Sequence, residues 1–120
     1  MALQINVLDY LEYSAARFPN KPSFCDENCT ITFEELMQDA KAVGSYLAVR
    51  YDHTVRRPVA VLVDRTAISI TAFMGTLYSG NFYVPIDVDM PAQRASAILQ
   101  KFSPLAILYS EKDATFAMSL

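Results

Sequence analysis

The strongest constraint on the fold is an uninterrupted run of apolar, mostly branched residues, Val59 to Val63, which follows Pro58 and precedes Asp64. A strand that is exposed on one face alternates apolar and polar residues, and this run does not alternate. It therefore predicts a strand that is buried on both faces. Strands of that kind occur in parallel sheets that carry helices on each side.

Strands and helices are predicted to alternate after this run, as helical crossovers between parallel strands require. The predicted elements are a helix over Thr66 to Tyr78, a strand over Phe82 to Ile86, a helix over Pro91 to about Phe102 and a strand over Leu105 to Tyr109. Gly80 is expected to end the first of these helices and Asp89 to cap the second. The first helix is apolar over much of its circumference, so we expect it to be well buried.

The N-terminal part predicts a helix from Ile5 to Phe18, which Asn6 or Asp9 would cap and Pro19 would end. A small hairpin is predicted from the strands Ser23 to Cys25 and Thr30 to Thr32 around the turn Asp26-Glu27-Asn28. The whole order predicts an α/β fold with a mostly parallel sheet flanked by helices and a small N-terminal β-hairpin.

A long helix is predicted from Phe33 to about Arg50. Thr32 and Glu35 have the spacing of a capping box, in which hydroxyl and carboxylate each accept the other's backbone N–H. The expected buried face consists of Leu36, Ala40, Val43 and Leu47. Gly44 weakens this helix and is expected to mark a close contact.

The two cysteines, Cys25 and Cys29, flank the hairpin turn and could face each other across it. Three alternatives remain open at this point: reduced structural thiols, a disulfide, and a metal site. A zinc site would need about four ligands, and the one histidine, His53, is distant in sequence.

The charge balance argues against nucleic acid as a partner, because the formal net charge is -3 over 120 residues. The basic pair Arg56-Arg57 predicts a solvated loop or, alternatively, a phosphate contact. Apolar runs fall short of the ~20 residues of a membrane span. Met1 to Asp9 also lacks a signal-peptide pattern, so the expected location is the cytoplasm and no membrane partner is expected.

Polar residues follow three of the predicted strands, at the edge where open parallel sheets bind ligands. These groups are Asp64-Arg65, Asp87-Val88-Asp89 and Tyr109-Ser110-Glu111-Lys112. Asp64, Asp87 and Asp89 could converge on magnesium. Alternatively, they cap helices and fix turns, or contact a further part of the protein.

Catalytic and nucleotide-binding patterns are missing from the sequence. Its three glycines, Gly44, Gly75 and Gly80, do not stand between a strand and the helix after it, so no phosphate-binding loop is predicted. His53 lies in a polar loop, and no nucleophile turn occurs. We therefore expect no catalytic, cofactor-binding or metal-binding residue in this chain.

Five segments resemble, in order and spacing, the N-terminal part of adenylate-forming (AMP-binding) enzymes. Ile31 to Leu36 resembles the first core motif of that superfamily, and Leu77 to Asp87 with Pro91 to Arg94 resembles the second. The other segments are Asn6 to Phe18 with Lys21 to Phe24, Val59 to Thr66, and Leu105 to Tyr109. The Val84 to Asp87 ending is most similar to amino-acid adenylation domains of peptide synthetases and to D-alanine ligases, and next to acyl-CoA synthetases.

The resemblance implies a parent ligase that uses ATP and Mg²⁺ to convert a carboxylate, an amino acid rather than a fatty acid, to acyl-AMP. The acyl group would then pass to a carrier-protein phosphopantetheine or to the thiol of CoA. In this family the ATP-binding and substrate-binding residues lie further along the chain. Residues 1–120 would thus be the N-terminal portion of an adenylation domain, incomplete, inactive alone and binding no cofactor.

The remainder of the adenylation domain is the partner that this resemblance implies. Without it, the sheet would expose strand edges and an apolar face, so we expect self-association. One alternative is a stand-alone, non-catalytic α/β binding or interaction module. Another is a small receiver-like domain, which Lys112 fits loosely but which needs an acidic pair where Asp64 stands alone.

Overall fold

A computed structural model describes residues 6–120, so the predicted apolar position at Ile5 lies outside the described residues. The helices are α1 (Val7–Arg17), α2 (Phe33–Arg50), α3 (Ile68–Tyr78), α4 (Ala92–Phe102) and α5 (Ala114–Met118). The strands are β1 (Pro22–Cys25), β2 (Thr30–Thr32), β3 (Pro58–Val63), β4 (Phe82–Asp87) and β5 (Ile107–Leu108). A 3-10 turn, Glu111–Asp113, precedes α5. No helix within residues 6–120 combines the length and the hydropathy of a transmembrane span.

The strands β3, β4 and β5 form a parallel sheet in the order β4–β3–β5, and β1 and β2 form a separate antiparallel hairpin. Helices α3 and α4 connect successive strands of the parallel sheet. The central strand β3 is buried as its sequence predicts, with Val59 at 0% and Leu62 at 2% exposure. The predicted α/β fold with an N-terminal hairpin is confirmed.

Helices cover both faces of the parallel sheet. Successive side chains of β3 point to opposite faces, so the apolar strand places residues in contact with helices on each side. One side holds a buried cluster of Ala60, Leu62, Ile86 and Ala95. Phe116 and Ala117 of α5, and Leu120 after it, pack against this cluster. On the other side Val61 shares an apolar groove with α2 and α3. The sheet is therefore the middle of three layers.

Helices α2 and α3 approach each other closely through two glycines. A Cβ atom at Gly44 would lie 2.6 Å from the Cβ of Tyr78, and one at Gly75 would lie 2.5 Å from Cγ1 of Val43. These distances are too short for a side chain, so the contact requires glycine at both positions. The close contact predicted at Gly44 is confirmed.

Helix α3 begins at Ile68, two residues later than predicted, and its large apolar side chains are not its buried ones. The buried residues are Ser69, Thr71, Gly75 and Thr76. Ile68 remains 52% exposed, and Phe73 and Met74 are half-buried. The apolar content of α3 predicts a well-buried helix, and ten of its eleven residues are buried or half-buried. Its fully buried residues are small because the close approach of α2 leaves no room for larger side chains.

The starts of α1 and α2 are capped as their sequences predict. Asn6 Oδ1 accepts a hydrogen bond from the N–H of Asp9 at 3.1 Å. Thr32 Oγ1 accepts from the N–H of Glu35 at 3.2 Å, and Glu35 Oε1 accepts from the N–H of Thr32 at 3.0 Å. The capping box therefore fixes the junction between the hairpin and α2.

Candidate functional site

The turn after β3 is organised around the carboxylate of Asp64, whose side chain is 2% exposed. Its Oδ1 accepts hydrogen bonds from the N–H of Thr66 at 3.1 Å and from the hydroxyls of Thr66 and Ser69. Arg65, between Asp64 and Thr66 in the chain, has a backbone φ of 65°, in the left-handed region. Asp64 thus fixes the turn that leads into α3, which is one of the alternatives that the sequence leaves open.

The second oxygen of Asp64 joins this turn to the segment after β5. Oδ2 accepts a hydrogen bond from Ser110 Oγ at 2.7 Å, and Lys112 Nζ lies 3.7 Å away. Ser110 Oγ is also 3.0 Å from Oδ2 of Asp113, a residue that is 9% exposed. The strand-end pattern predicts Ser110 and Lys112 at this edge, whereas no local signal marks Asp113.

The two carboxyl groups of this cluster have pKa values displaced in opposite directions. Burial opposes ionisation of Asp64, but the neighbouring Asp113 carboxyl group and the hydrogen bonds from Thr66 and Ser110 hold its pKa below the usual range. Burial and the neighbouring Asp64 carboxylate raise the pKa of Asp113. The cluster is therefore internally bonded, and the polar atoms around Asp64 are engaged with one another.

Asp87 and Asp89 lie at the end of β4 and remain apart from this cluster. Asp87 Oδ1 accepts a hydrogen bond from the N–H of Asp89 at 2.8 Å, and the Asp89 carboxylate forms an exposed ion pair with Arg65 at 3.6 Å. The predicted cap at Asp89 is wrong, because Pro91 occupies the N-cap position of α4, two residues further on. Within residues 6–120 no group of three His, Cys, Asp or Glu side chains is placed to hold a metal ion. These residues do not fit the magnesium site considered from the sequence.

The tip of the hairpin is anchored to the start of α3 by Asp26. Its Oδ2 accepts a hydrogen bond from the N–H of Ala67 at 2.7 Å. Its Oδ1 accepts from the N–H groups of Asn28 at 2.7 Å and Cys29 at 3.0 Å. These bonds, led by the one from Ala67, lower the pKa of Asp26. The sequence predicts Asp26 only as a turn residue, because Ala67 lies 41 positions away.

Both cysteines of the hairpin are free thiols. Cys25 stands opposite Thr30, whereas the N–H of Asp26 donates to the carbonyl of Cys29 at 2.9 Å. Neighbouring positions of a β-ribbon point to opposite faces, so the suggestion that the two thiols face each other is wrong. Desolvation and the carboxylate of Asp26 raise the pKa of Cys29, which makes it a weak nucleophile at neutral pH.

The basic loop before β3 is held by contacts with distant backbone and side-chain groups. The N–H of Arg57 donates to Asn81 Oδ1 at 2.9 Å, and its guanidinium donates to the carbonyl of Ser103 at 3.1 Å. Asn81, which is 5% exposed, is a structural residue that the sequence analysis missed. His53 is exposed, and its backbone N–H donates a hydrogen bond to the carbonyl of Ala48 near the end of α2. These contacts favour the solvated-loop interpretation over a phosphate contact.

An apolar groove of about 500 Å³ opens beside the Asp64 turn. Its apolar lining includes Ala42 and Val43 of α2, Ile68 and Ala72 of α3, Leu108 of β5, and Tyr109. Among the described strands, β5 has β3 as a partner on one edge and none on the other. The groove and this edge can therefore bury an apolar segment of protein, whereas Ser69 and Ser110, which also line the groove, are hydrogen-bonded to Asp64.

Comparison with known proteins identifies relatives of this chain. A sequence model described as AMP-binding enzyme matches residues 11–119. The D-alanine–D-alanyl carrier protein ligase of Listeria innocua is 26% identical over 107 residues, which are 89% of this chain and 21% of that protein. Nonribosomal peptide synthetase 7 of Gibberella zeae is 30% identical over 102 residues, which are 85% of this chain and 2% of that protein. The chain thus spans about a fifth of the length of the Listeria ligase it matches.

A solved structure agrees with the fold. The nonribosomal peptide synthetase FmoA3, in its alpha-methyl-L-serine-AMP bound form, superposes with a TM-score of 0.85 over 91% of this chain and 12% of its own, at 22% identity. That likeness concerns the fold alone, whereas the family match follows the sequence over nearly the whole chain. Because the match covers residues 11–119, the chain belongs to the AMP-binding, adenylate-forming enzyme family.

Proposed function

We propose that residues 1–120 are the N-terminal portion of an adenylation domain. The whole enzyme would activate a carboxylate with ATP as acyl-AMP and then transfer the acyl group to a thiol. The observation that carries this proposal is the family match over residues 11–119, in a chain whose matched part spans about a fifth of the Listeria ligase.

The proposed substrate is an amino acid, and the proposed acceptor is the phosphopantetheine thiol of a carrier protein. This choice is supported by the names of the relatives, a D-alanine–D-alanyl carrier protein ligase and a nonribosomal peptide synthetase. Fatty acids and CoA are the next choice. ATP and Mg²⁺ would be bound by residues beyond this chain, and the proposed location is the cytoplasm.

The isolated chain is proposed to be inactive, with the remainder of the adenylation domain as its first partner. Two observations support this. The carboxylate of Asp64 already accepts hydrogen bonds from within the chain, and Cys29 has a raised pKa, which makes it a weak nucleophile. The apolar groove and the free edge of β5 provide a surface on which further chain of the same domain would pack. Ile68, at 52% exposure, would lose that exposure in the whole enzyme.

Amino-acid-dependent exchange of pyrophosphate into ATP tests the proposal. We would assay the 120-residue chain, and a chimera in which it replaces the corresponding segment of the Listeria ligase, against D-alanine, other amino acids and fatty acids. We expect no exchange with the chain alone and measurable exchange with the chimera. Exchange by the chain alone, or a folded chimera without activity, would refute it. Sequencing the gene beyond the Leu120 codon would show whether the reading frame continues.

A stand-alone, non-catalytic interaction module is the second candidate. It is favoured by the continuous cluster that α4 and α5 complete on one face of the sheet, including Phe116 and Leu120.

Either candidate leaves the groove and the β5 edge available in the isolated chain, so we expect the isolated chain to self-associate. Sedimentation equilibrium measures this, and a monomer at high concentration would contradict it. The receiver-like alternative is disfavoured, because Asp64 is buried and fully bonded.

A further inference from the structure

The hydrogen bonds of Ser110 carry an inference about a bound proton. Its hydroxyl has one hydrogen, yet its oxygen lies 2.7 Å from Asp64 Oδ2 and 3.0 Å from Asp113 Oδ2. A hydroxyl donates one hydrogen, and an ionised carboxylate can only accept. One of these two contacts is therefore a hydrogen bond only if a carboxyl group supplies the proton.

The surroundings decide which carboxyl group holds that proton. Asp64 accepts from the N–H of Thr66 and from the hydroxyls of Thr66 and Ser69, and Lys112 Nζ lies 3.7 Å from its Oδ2. These donors favour its ionised form. Asp113 is 9% exposed, and burial without comparable donors favours its neutral form.

We propose that Asp113, Ser110 and Asp64 form a proton-holding relay that fastens α5 to the parallel sheet. Asp113 donates to Ser110, and Ser110 donates to ionised Asp64. Asp113 stands at the N-cap position of α5, which packs Phe116 and Ala117 against the buried cluster of the sheet. Loss of the proton places two negative charges across one hydroxyl and weakens this junction.

Other charged and titratable groups face the relay from three directions. They are Lys112 and Glu111 of the 3-10 turn, Arg65 after β3, and Cys25, Asp26, Glu27 and Cys29 of the hairpin. Arg65 is paired with Asp89, and Asp26 is bonded to the N–H of Ala67. Lys112 opposes the proposed proton, but its side chain is 58% exposed and its charge is screened by solvent. Burial and the neighbouring Asp64 carboxylate therefore favour the neutral form of Asp113.

The pH dependence of the stability follows from the shifted pKa values of Asp113 and Asp64. Asp113 has a raised pKa, so its contribution to stability is present at low pH and is lost as pH rises through its folded-state pKa. Asp64 has a lowered pKa, so its contribution is present above the ordinary aspartate range and is lost in acid. The relay is thus intact between the two transitions and loosens on the alkaline side.

Carboxyl-carbon NMR titration of the 120-residue chain, labelled with ¹³C-aspartate, tests the relay. We expect Asp113 to titrate above the ordinary aspartate value of about 3.9, and the methyl signals of Ala117 and Leu120 to shift with the Asp113 midpoint. In Asp64→Asn the Asp113 midpoint should fall, because the neighbouring charge is gone. An Asp113 midpoint at or below about 3.9 in the unsubstituted chain would overturn the proposal.

A second measurement uses Asp113→Asn, which keeps a hydrogen-bond donor and removes the titration. The Tm of the unsubstituted chain should fall relative to this variant as pH rises through the Asp113 midpoint. Asp39→Asn, at an exposed aspartate of α2, is the matched control and should retain the loss of Tm that accompanies the Asp113 midpoint. A constant Tm difference between Asp113→Asn and the unsubstituted chain across that range would also overturn the proposal.

Discussion

Replacing Leu47 by alanine measures how firmly α2 packs, because Leu47 is 1% exposed. The substitution removes three carbon groups, and at ~0.8 kcal/mol for each the transfer loss is about 2.4 kcal/mol. The cavity that remains adds to this loss, so we expect the free energy of unfolding to fall by ~3–5 kcal/mol. A domain typically has only ~5–15 kcal/mol of stability in total, so the effect is readily measured.

Val49→Ala is the matched control, because Val49 lies on the same helix but is 76% exposed. It removes two methyl groups of which about a quarter of the surface is buried, for a loss of ~0.4 kcal/mol. The higher helix propensity of alanine offsets that loss. Urea unfolding followed by circular dichroism compares the two variants at equal m values. If Leu47→Ala lowers the free energy of unfolding by no more than Val49→Ala, the packing described for α2 is refuted.

Three further substitutions test particular contacts. Thr32→Ala removes the hydroxyl of the capping box and should lower the free energy of unfolding by ~1 kcal/mol in a urea titration, and an unchanged midpoint would exclude this role for the cap. Asp26→Asn weakens the contact with the N–H of Ala67. Because the pKa of Asp26 is lowered in the fold, the unsubstituted chain should lose stability more steeply than Asp26→Asn below about pH 4, and parallel acid-unfolding curves would count against this. Gly44→Val adds a side chain where even a Cβ would lie 2.6 Å from Tyr78 Cβ, so overpacking should cost ~1–3 kcal/mol, and an unchanged Tm would rule out the close contact.

Short-range features of the fold follow from the sequence because they depend on neighbouring residues. Thr32 and Glu35 are three positions apart, and their reciprocal capping needs only the first turn of α2. The run Val59 to Val63 is apolar on both faces, so it predicts a central strand whatever packs against it. The same local patterns carry the family resemblance, which the match over residues 11–119 confirms.

The candidate site follows from the sequence only in part. Parallel strands end at one edge of a sheet, so Asp64 and Ser110 are expected near each other. Their hydrogen bond, and the position of Asp113 beside it, join segments 46 or more residues apart. The contact of Asp26 with Ala67 spans 41 residues and has no local signal.

The type and order of the elements from α1 to β5, and the enzyme family, follow from the sequence because hydropathy spacing and short motifs are properties of neighbouring residues. Which side chains are buried and which polar groups meet depends on the three-dimensional packing. Small residues of α3 are buried because Gly44 and Gly75 bring two helix backbones together, and Asp64 and Asp113 share Ser110 because β3 and β5 end at the same edge. Close packing and hydrogen-bond satisfaction depend on residues that are distant along the chain, so no local pattern contains them.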